Sequence, residues 1–574
     1  MWASVHAFCQ EVLPGSAVRS GRKRNTLQLE EGRSAVGWDL SADVVVVGVG
    51  VAGASAALEA LAAGADVIAL DRFAGGGAST ISGGIVYAGG GTRIQRDAGI
   101  EDTPDAMYAY LSREVGDAVR PATLRRFCDE SPAMIEWLAG HGVPFEGSLC
   151  PYKTSYPTDR HYLYFSGSEA AGGFRDVAAP APRGHRAKGK GTSGKKLYRP
   201  LIDSALANGL RLEQQTRAVR LLTDDDGAVI GVECMSLRAA PKRVRARHAR
   251  LSALSAKPGI YYPPMRKVLQ KQVERLEATY ARPIRIQARS GVILSAGGFI
   301  ANRDMVAQHG PRYRGGLALG TAGDDGSGIF MGTDVGAATD KLSNISAWRF
   351  IVPPSAFLGS LLVNRKGDRM VDESRYGAAL GHAMIAEHEG KGWLVADADL
   401  VAQARAQLGS QTNWFQRIQS ETMMRIDRTT GATLEELADK VGIDPVGLVA
   451  TVAAHNEAIA AGTPDPMGKP DDFRRTVGAG PYSLFDVSLK KSLTNPLPML
   501  TLGGLVVDEE SGVVQTADGA AIDGLYAAGR TAVGICSNSY VSGLSLADCV
   551  FSGRRAAAHA ARRGVARSES ASTA

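Results

Sequence analysis

ADVVVVGVGVAGASAALEALAAGADVIALDR, residues 42–72, is the stretch that decides the fold. The unbroken β-branched run 44–47 has the composition of a strand buried on both faces. Ala and Leu dominate 52–63, which predicts a helix, and Gly64 stands where a glycine would end it. The run 67–70 is the next buried strand, so the stretch is a β-α-β unit, right-handed by the usual crossover rule. Gly48-x-Gly50-x-x-Gly53 falls between the first strand and the helix. Gly48 permits the tight turn, Gly50 lets the backbone meet a pyrophosphate, and Gly53 lets the helix pack on the strand. The helix start offers unpaired N–H groups to an anion, and Asp71, at the end of the second strand, can accept from ribose hydroxyls.

Working outward, 574 residues are enough for two packed domains with a large core. Hydrophobic residues make up 44% and charged ones 22%, ordinary for a globular protein. The 68 glycines are about one residue in eight. They cluster, as in SGGIVYAGGGT (82–92), without a collagen period, which marks loops where backbone approaches something closely. The longest uncharged run, 73–92, is too polar for a bilayer span, and the more apolar run 44–58 is too short. The start, MWASVHAFCQEVLPG, lacks the basic and apolar regions of a secretory signal. Six scattered cysteines (9, 128, 150, 234, 536 and 549) form no CxxC, which argues for a reducing cytoplasm and against a disulfide or zinc framework. The ten histidines show no metal spacing, so no metal is expected.

Alternation continues along the chain. Residues 104–114 and 121–139 read as helices, GAVIGVEC (227–234) as a strand after an acidic hairpin turn at Asp224, Asp225 and Asp226. ARSGVILSAGGF (288–299) is a buried strand running into a glycine turn. Amphipathic helices follow at 376–388 and 433–461. GLYAAGR (524–530) repeats the strand-into-glycine-turn pattern, and 543–562 reads as a helix. Strands of one sheet thus lie at both ends of the sequence. The expected fold class is α/β: a Rossmann-like, glutathione-reductase-type domain with an α+β cap inserted into it. The expected boundaries are an N-terminal extension at 1–40, the first domain at 41–311 and 486–562, the cap at 312–485 and a disordered tail at 563–574.

The glycine motif alone does not choose between nicotinamide and flavin, but the distant elements do. FAD is long, and a second strand-turn from the C-terminal end has to cover its ribityl chain and ring system. GLYAAGR with the helix near 543 supplies that cover, and Leu544, Ser545 and Leu546 can face the electron-rich pyrimidine edge. FAD is therefore the expected cofactor. Its candidate contacts are Gly48, Gly50, Ala52, Gly53, Asp71 and Arg72 in the first unit, then Ser79, Ser82, Gly83 and Gly84. Ala296, Gly297, Asp325, Gly529, Arg530, Ser545 and Leu546 complete the set. Asp325 and Gly326 are read as shaping a loop near the flavin.

The colinear set GxGxxG…GGGASTISGG…GVILSAGGF…GDDGSGIFMG…GLYAAGR…SGLSLADCVFSGRRA resembles the fumarate reductase/succinate dehydrogenase flavoprotein superfamily over roughly residues 42–562. The resemblance implies a noncontiguous FAD domain and a cap, with substrate held between them against the flavin. Dicarboxylate members need cations to pair two desolvated carboxylates. They commonly carry a His just before a T-x-G-G turn and an Arg in the last glycine-rich segment. This chain has Leu500 before Thr501-Leu502-Gly503-Gly504, and Ser539-Tyr540-Val541-Ser542 in the other place. Ala78-Ser79-Thr80 stands where some members carry the His that links to FAD, which implies non-covalent FAD. The neutral set Tyr540, Ser542 and, in GDRMVDESRYGA (367–378), Tyr376 is similar to the 3-ketosteroid dehydrogenases, most closely the 4-ene-forming 3-ketosteroid 4-dehydrogenases, and implies that these three residues line the catalytic site.

Removing two hydrogens beside a ketone needs a base for the acidic α-proton and an acceptor for the β-hydride, a role that suits oxidised flavin. A phenol with an ordinary pKa near 10 needs hydrogen bonds to its charged form to act near neutrality. The expected arrangement has Tyr540 as base, with Ser542 and Tyr376 supporting it or polarising the carbonyl. The alternatives are a 3-ketosteroid 1-dehydrogenase, a fumarate-reductase-like enzyme for an unsaturated acid, and a non-enzymatic flavin-binding module that docks on anionic lipid or nucleic acid. The last rests on residues 235–290, which hold fourteen Lys/Arg and two acids and leave 51 cations against 57 acids elsewhere. Within them, Met265, Val268, Leu269, Val273 and Leu276 have helical spacing. They suit either a peripheral membrane contact or an excursion packed on the FAD domain with a solvated basic face. The aromatic segment YPTDRHYLYF (156–165) reads equally as a pocket wall or as surface packing. The partners implied are a small steroid and an external electron acceptor, with no nucleic acid in the favoured reading.

Overall fold

The computed structural model describes residues 37–492 and 495–572. The expected extension at 1–40 lies largely outside the described residues, and the chain enters the sheet at Leu40. The main sheet runs in the order Val513–Gln515, Ala521–Ala527, Arg282–Leu294, Leu40–Val47, Val67–Asp71, Arg211–Gln214. All neighbours after the first pair are parallel. Val45 pairs with Ile68 on one side and Val292 on the other, and Val292 pairs with Leu525. Strands about 240 residues apart in sequence are therefore immediate neighbours, as the three apolar runs ending in glycine turns require. A hairpin, Thr216–Thr223 with Val229–Ser236, joins the long strand Arg282–Leu294 antiparallel, with Asp224 accepting from Ala228 N–H in its turn.

Helix Val51–Ala62 is buried along nearly its whole length. The sheet lies on one side and helix Leu544–Ser572 on the other, so only small side chains fit. Gly64 follows its last turn with φ +82°. Arg554 and Glu59 tie the two helices at 2.7 Å. The C-terminal helix continues ten residues beyond the predicted end at 562. The segment RAAAHAARRGVAR contains good helix formers and no proline to stop it.

A second, antiparallel sheet pairs Leu361–Val363 with Trp393–Ala396, then Tyr482–Asp486, then Arg428–Gly431. The predicted helix at 433–461 is two helices, Leu434–Val441 and Pro445–Ala460. Gly442, at φ +75°, caps the first, and Pro445 opens the second. The predicted helix at 376–388 is a short α-helix, Gly377–His382, that widens to a π turn over Ala383–Glu387.

The basic segment forms two helices, Lys242–Ala256 and Pro263–Tyr280, packed on each other. The apolar stripe of the second is mostly turned inward. Val273 is buried, and Leu276 packs on Leu237, Ala240, Val244 and Ala281. Val268 is exposed. Arg266 is buried and donates to the carbonyls of Gly320 at 2.8 Å and Ala318 at 3.3 Å.

Candidate active site

A cavity of about 430 Å³ runs from the glycine turn of the main sheet to the second lobe. The turn leaves no room for side chains. A Cβ on Gly48, whose φ is +93°, would lie 2.7 Å from Ala296 Cα, and one on Gly53 would lie 2.1 Å from Gly48 O. Ser79 Oγ accepts from Val51 N–H at 3.1 Å and so caps the helix start beside the cavity. Ser82 Oγ accepts from Gly84 N–H at 3.1 Å, and Tyr156 donates its hydroxyl to Gly83 O at 3.0 Å. Together these fix the edge 82–84. Asp71 accepts from the N–H groups of Val49 at 3.1 Å and Phe73 at 2.8 Å, while burial raises its pKa. Its carboxylate therefore holds the turn as well as facing the cavity.

Every candidate cofactor contact except Gly53 lines this one cavity. Gly53 instead seats the helix on the strand. Arg72 is engaged by protein: it pairs with Glu277 at 2.8 Å and Asp325 at 3.3 Å. Glu277 also accepts from His248 Nε2 at 3.1 Å, and these partners hold its carboxyl down at about 2 against the effect of burial. Arg530 donates to Asp324 at 2.6 Å, and its other terminal nitrogen, Nη1, is buried with no partner. Burial opposes the charge of this guanidinium, but Asp324 keeps it protonated. The glycine cradle and a buried cation with one unsatisfied donor fit an anionic, hydrogen-bonding dinucleotide such as FAD.

At the other end, Tyr540, Tyr376 and Ser542 come together from segments more than 160 residues apart. The rings of Tyr376 and Tyr540 have centroids 6.3 Å apart. Trp348 stacks on Tyr540 at 4.6 Å with planes 30° apart. Burial pushes both phenols above their ordinary pKa. A hydrogen bond from the Gly543 backbone opposes this at Tyr540, and one with Ser542 opposes it at Tyr376. Ser542 Oγ also lies 3.1 Å from the hydroxyl of buried Tyr164. Tyr376 is set in place by its own loop. Its N–H donates to Ser168 Oγ at 3.1 Å, and nearby Glu373 is buried against Arg369 at 2.7 Å and Lys469 at 3.1 Å. The Gly367-x-Arg369-x-x-x-Glu373 element is thus a buried ionic brace for the loop that carries the tyrosine.

The surrounding wall is mostly apolar, with Leu317, Leu319, Phe350, Pro353, Pro498 and Met423 beside Gln416, Gln419 and Ser420. Leu500 lines it too, and among the described residues no His does. The lining cations are Arg72, Arg217 and Arg530. The first two face Asp325 and the third is paired with Asp324, so no free cation flanks the tyrosines among the described residues.

Sequence reading missed several lining or supporting residues. Trp348 and helix Trp414–Ile426 carry no motif. Of the adjacent pair Asp324-Asp325, the motif pointed to the second, whereas the first holds Arg530. The aromatic segment 156–165 divides between the two roles its sequence allows. Tyr156 lines the cavity, while Tyr164 stands behind Ser542.

A parallel sheet with a glycine cradle, closed by a strand-turn and helix from the far end of the chain, defines a Rossmann-like flavoprotein. Residues 43–545 match the family described as the FAD binding domain, and the chain belongs to that family. It is 38% identical to the 3-oxo-5-alpha-steroid 4-dehydrogenase of Comamonas testosteroni, over 86% of this chain and 93% of that one. It is 24% identical to a cytochrome-type fumarate reductase of Shewanella frigidimarina, over 91% of this chain and 77% of that one. The structure of 3-ketosteroid-delta4-(5alpha)-dehydrogenase from Rhodococcus jostii RHA1, in complex with 4-androstene-3,17-dione, superposes with a TM-score of 0.77. It is 30% identical and covers 92% of this chain and 98% of that one.

Proposed function

We propose that this flavoprotein is a dehydrogenase that introduces the 4-ene into ring A of a 3-keto-5α-steroid. One observation carries the reading: two phenols and an alcohol, with no free cation beside them among the described residues, face a largely apolar wall at the end of the cavity away from the glycine cradle. Such a wall accepts a fused hydrocarbon bearing one ketone and leaves a dicarboxylate without counter-ions. Similarity to steroid 4-dehydrogenases over most of the chain supports the same substrate class.

In this reading Tyr540 takes the proton from the carbon next to the ketone, and the Gly543 backbone stabilises its phenolate. Tyr376, hydrogen-bonded to Ser542, donates to the ketone oxygen as charge develops there. Trp348 keeps the Tyr540 ring in plane and excludes water. Bound FAD supplies the acceptor for the β-hydride. Ser79 and its neighbours offer no His for a covalent link, so the cofactor is held non-covalently by the glycine cradle, Arg530 and the other candidate contacts that line the cavity. Residues 41–311 with 486–562 form the FAD domain and 312–485 the cap.

Anaerobic mixing with 5α-androstane-3,17-dione should bleach the flavin and yield the 4-ene. A 1-ene product would make the chain a 1-dehydrogenase. Rapid bleaching or reoxidation by a succinate/fumarate pair, with no response to any ketosteroid, would overturn the steroid reading.

A further inference from the structure

Two segments far apart in sequence both line the cavity and carry exposed apolar side chains beside it. Helix Trp414–Ile426 turns Phe415, Gln419 and Met423 into the cavity and leaves Trp414 and Ile418, one turn apart, 74% and 57% exposed. The turn between the two helices of the basic segment likewise brings Tyr261 to the cavity wall and leaves the adjacent Tyr262 50% exposed. The two sides are linked. Lys257 donates to Thr192 Oγ1 at 3.0 Å, and Thr192 lines the cavity. The neighbouring Gly191 O accepts from the Tyr156 hydroxyl at 2.9 Å, and the Tyr156 ring lies 6.5 Å from Phe415, which in turn contacts Trp414. Val268, 59% exposed, continues the apolar surface along the second basic helix.

Large apolar side chains this exposed, grouped around one opening, mark a surface that something covers. The charge around them indicates what. Lys257 and Lys267 are exposed and have no acidic partner among the described residues. A second copy of the same chain would oppose cation to cation across such a rim, whereas an anionic lipid surface complements both its charge and its grease. Tyr and Trp are also the side chains that settle at the headgroup level.

We infer that the cavity mouth, framed by Trp414 and Ile418 on one side and Tyr262, Val268, Lys257 and Lys267 on the other, docks on an anionic phospholipid bilayer, so that an apolar ketosteroid passes from lipid to flavin without crossing water. The inference rests on the steroid reading above. The membrane contact then uses the turn at 257–262, the exposed Lys267 and Val268 and a helix 150 residues away, not the inward-turned Val273 and Leu276.

The test is vesicle co-sedimentation of the full-length holoprotein, with phosphatidylcholine vesicles containing or lacking phosphatidylglycerol. Binding should require phosphatidylglycerol and fall with rising salt. Lys257→Glu and Lys267→Glu should each weaken it by roughly fivefold or more. Trp414→Ser with Ile418→Ser should weaken it by about tenfold or more. The same variants should reduce their flavin at the wild-type rate with ketosteroid dispersed in detergent, and lose rate only when the steroid is presented in anionic vesicles. Absence of vesicle binding, binding untouched by these substitutions, or a dimer that Trp414→Ser dissociates would each overturn the inference. If no variant, nor the wild type, reduces flavin with detergent-dispersed steroid, it is the substrate reading that fails.

Discussion

The ring of Tyr540 stacks on that of Trp348 with centroids 4.6 Å apart, at the bottom of an apolar cavity. This contact fixes the phenol in a direction that its own short segment could not, because Gly543 and the polar run before it offer little steric hindrance. The arrangement makes the roles of the two tyrosines separable by experiment.

Replacing Tyr540 by Phe should slow flavin reduction by 5α-androstane-3,17-dione by about 10²–10⁴-fold, the usual contribution of a positioned base. Tyr376→Phe should cost less, roughly tenfold to a hundredfold, since it removes a donor to the ketone oxygen. Stopped-flow absorbance of the oxidised flavin reads both. Equal rates for wild type and Tyr540→Phe would transfer the role of base to Tyr376 or Ser542.

The pH profile follows from burial. Both phenols lie above their ordinary range. The base works as phenolate, so kcat/KM should rise with pH across the neutral and alkaline range and show no plateau near pH 7. Ser542→Ala removes a hydrogen bond that favours the Tyr376 phenolate, so titration of Tyr376 should move to higher pH in that variant. Ultraviolet difference spectra of the phenolate band report it directly.

Asp548 is a second pH-sensitive group, buried behind the site with its carboxyl raised to about 6 by desolvation. An acid whose folded pKa exceeds its unfolded value of 3.8 destabilises the fold once ionised. The penalty begins as pH rises past the unfolded value and is complete above about 6. Asp548→Asn should therefore stabilise the protein at pH 8 by up to about 3 kcal/mol, and by roughly half of that at pH 5. Denaturant midpoints at the two pH values measure this difference.

Glu277 behaves in the opposite sense. Arg72 and His248 hold its carboxyl down at about 2, so the stability it adds is present above the unfolded value of 4.5 and is lost as pH falls toward 2. Glu277→Ala leaves Arg72 with Asp325 alone and should destabilise the fold by about 1–3 kcal/mol, loosening the basic helices first. Hydrogen exchange over 242–280 should rise before that of the sheet.

Gly48→Ala should yield protein without flavin. The added Cβ would lie 2.7 Å from Ala296 Cα and Ser295 O at a backbone angle that side chains rarely adopt. The ratio of flavin to protein absorbance after purification checks it, with Gly140→Ala as a folded control whose Cβ meets open space at an ordinary backbone angle.

What the amino-acid order determined by itself was periodic or local. The runs 44–47, 67–70, 291–294 and 524–527 are apolar enough to be only central strands, and each of three glycine turns stands directly after one. A buried parallel strand and a tight turn are encoded in a few adjacent residues, so they can be read without knowing their neighbours. Tyr376, Tyr540 and Ser542 were legible because motifs framed them. Trp348, Tyr164, Asp324 and the helix Trp414–Ile426 were not. Each owes its place to packing between segments that no spacing connects. The basic segment shows the same division. Its composition announced a charged excursion, but which apolar residues turned in and which stayed in water depended on where Glu277 met Arg72 and where Arg266 found the carbonyls of Ala318 and Gly320. Local preference fixes the kind of element, and only long-range contacts, which decide what each face buries, can aim it.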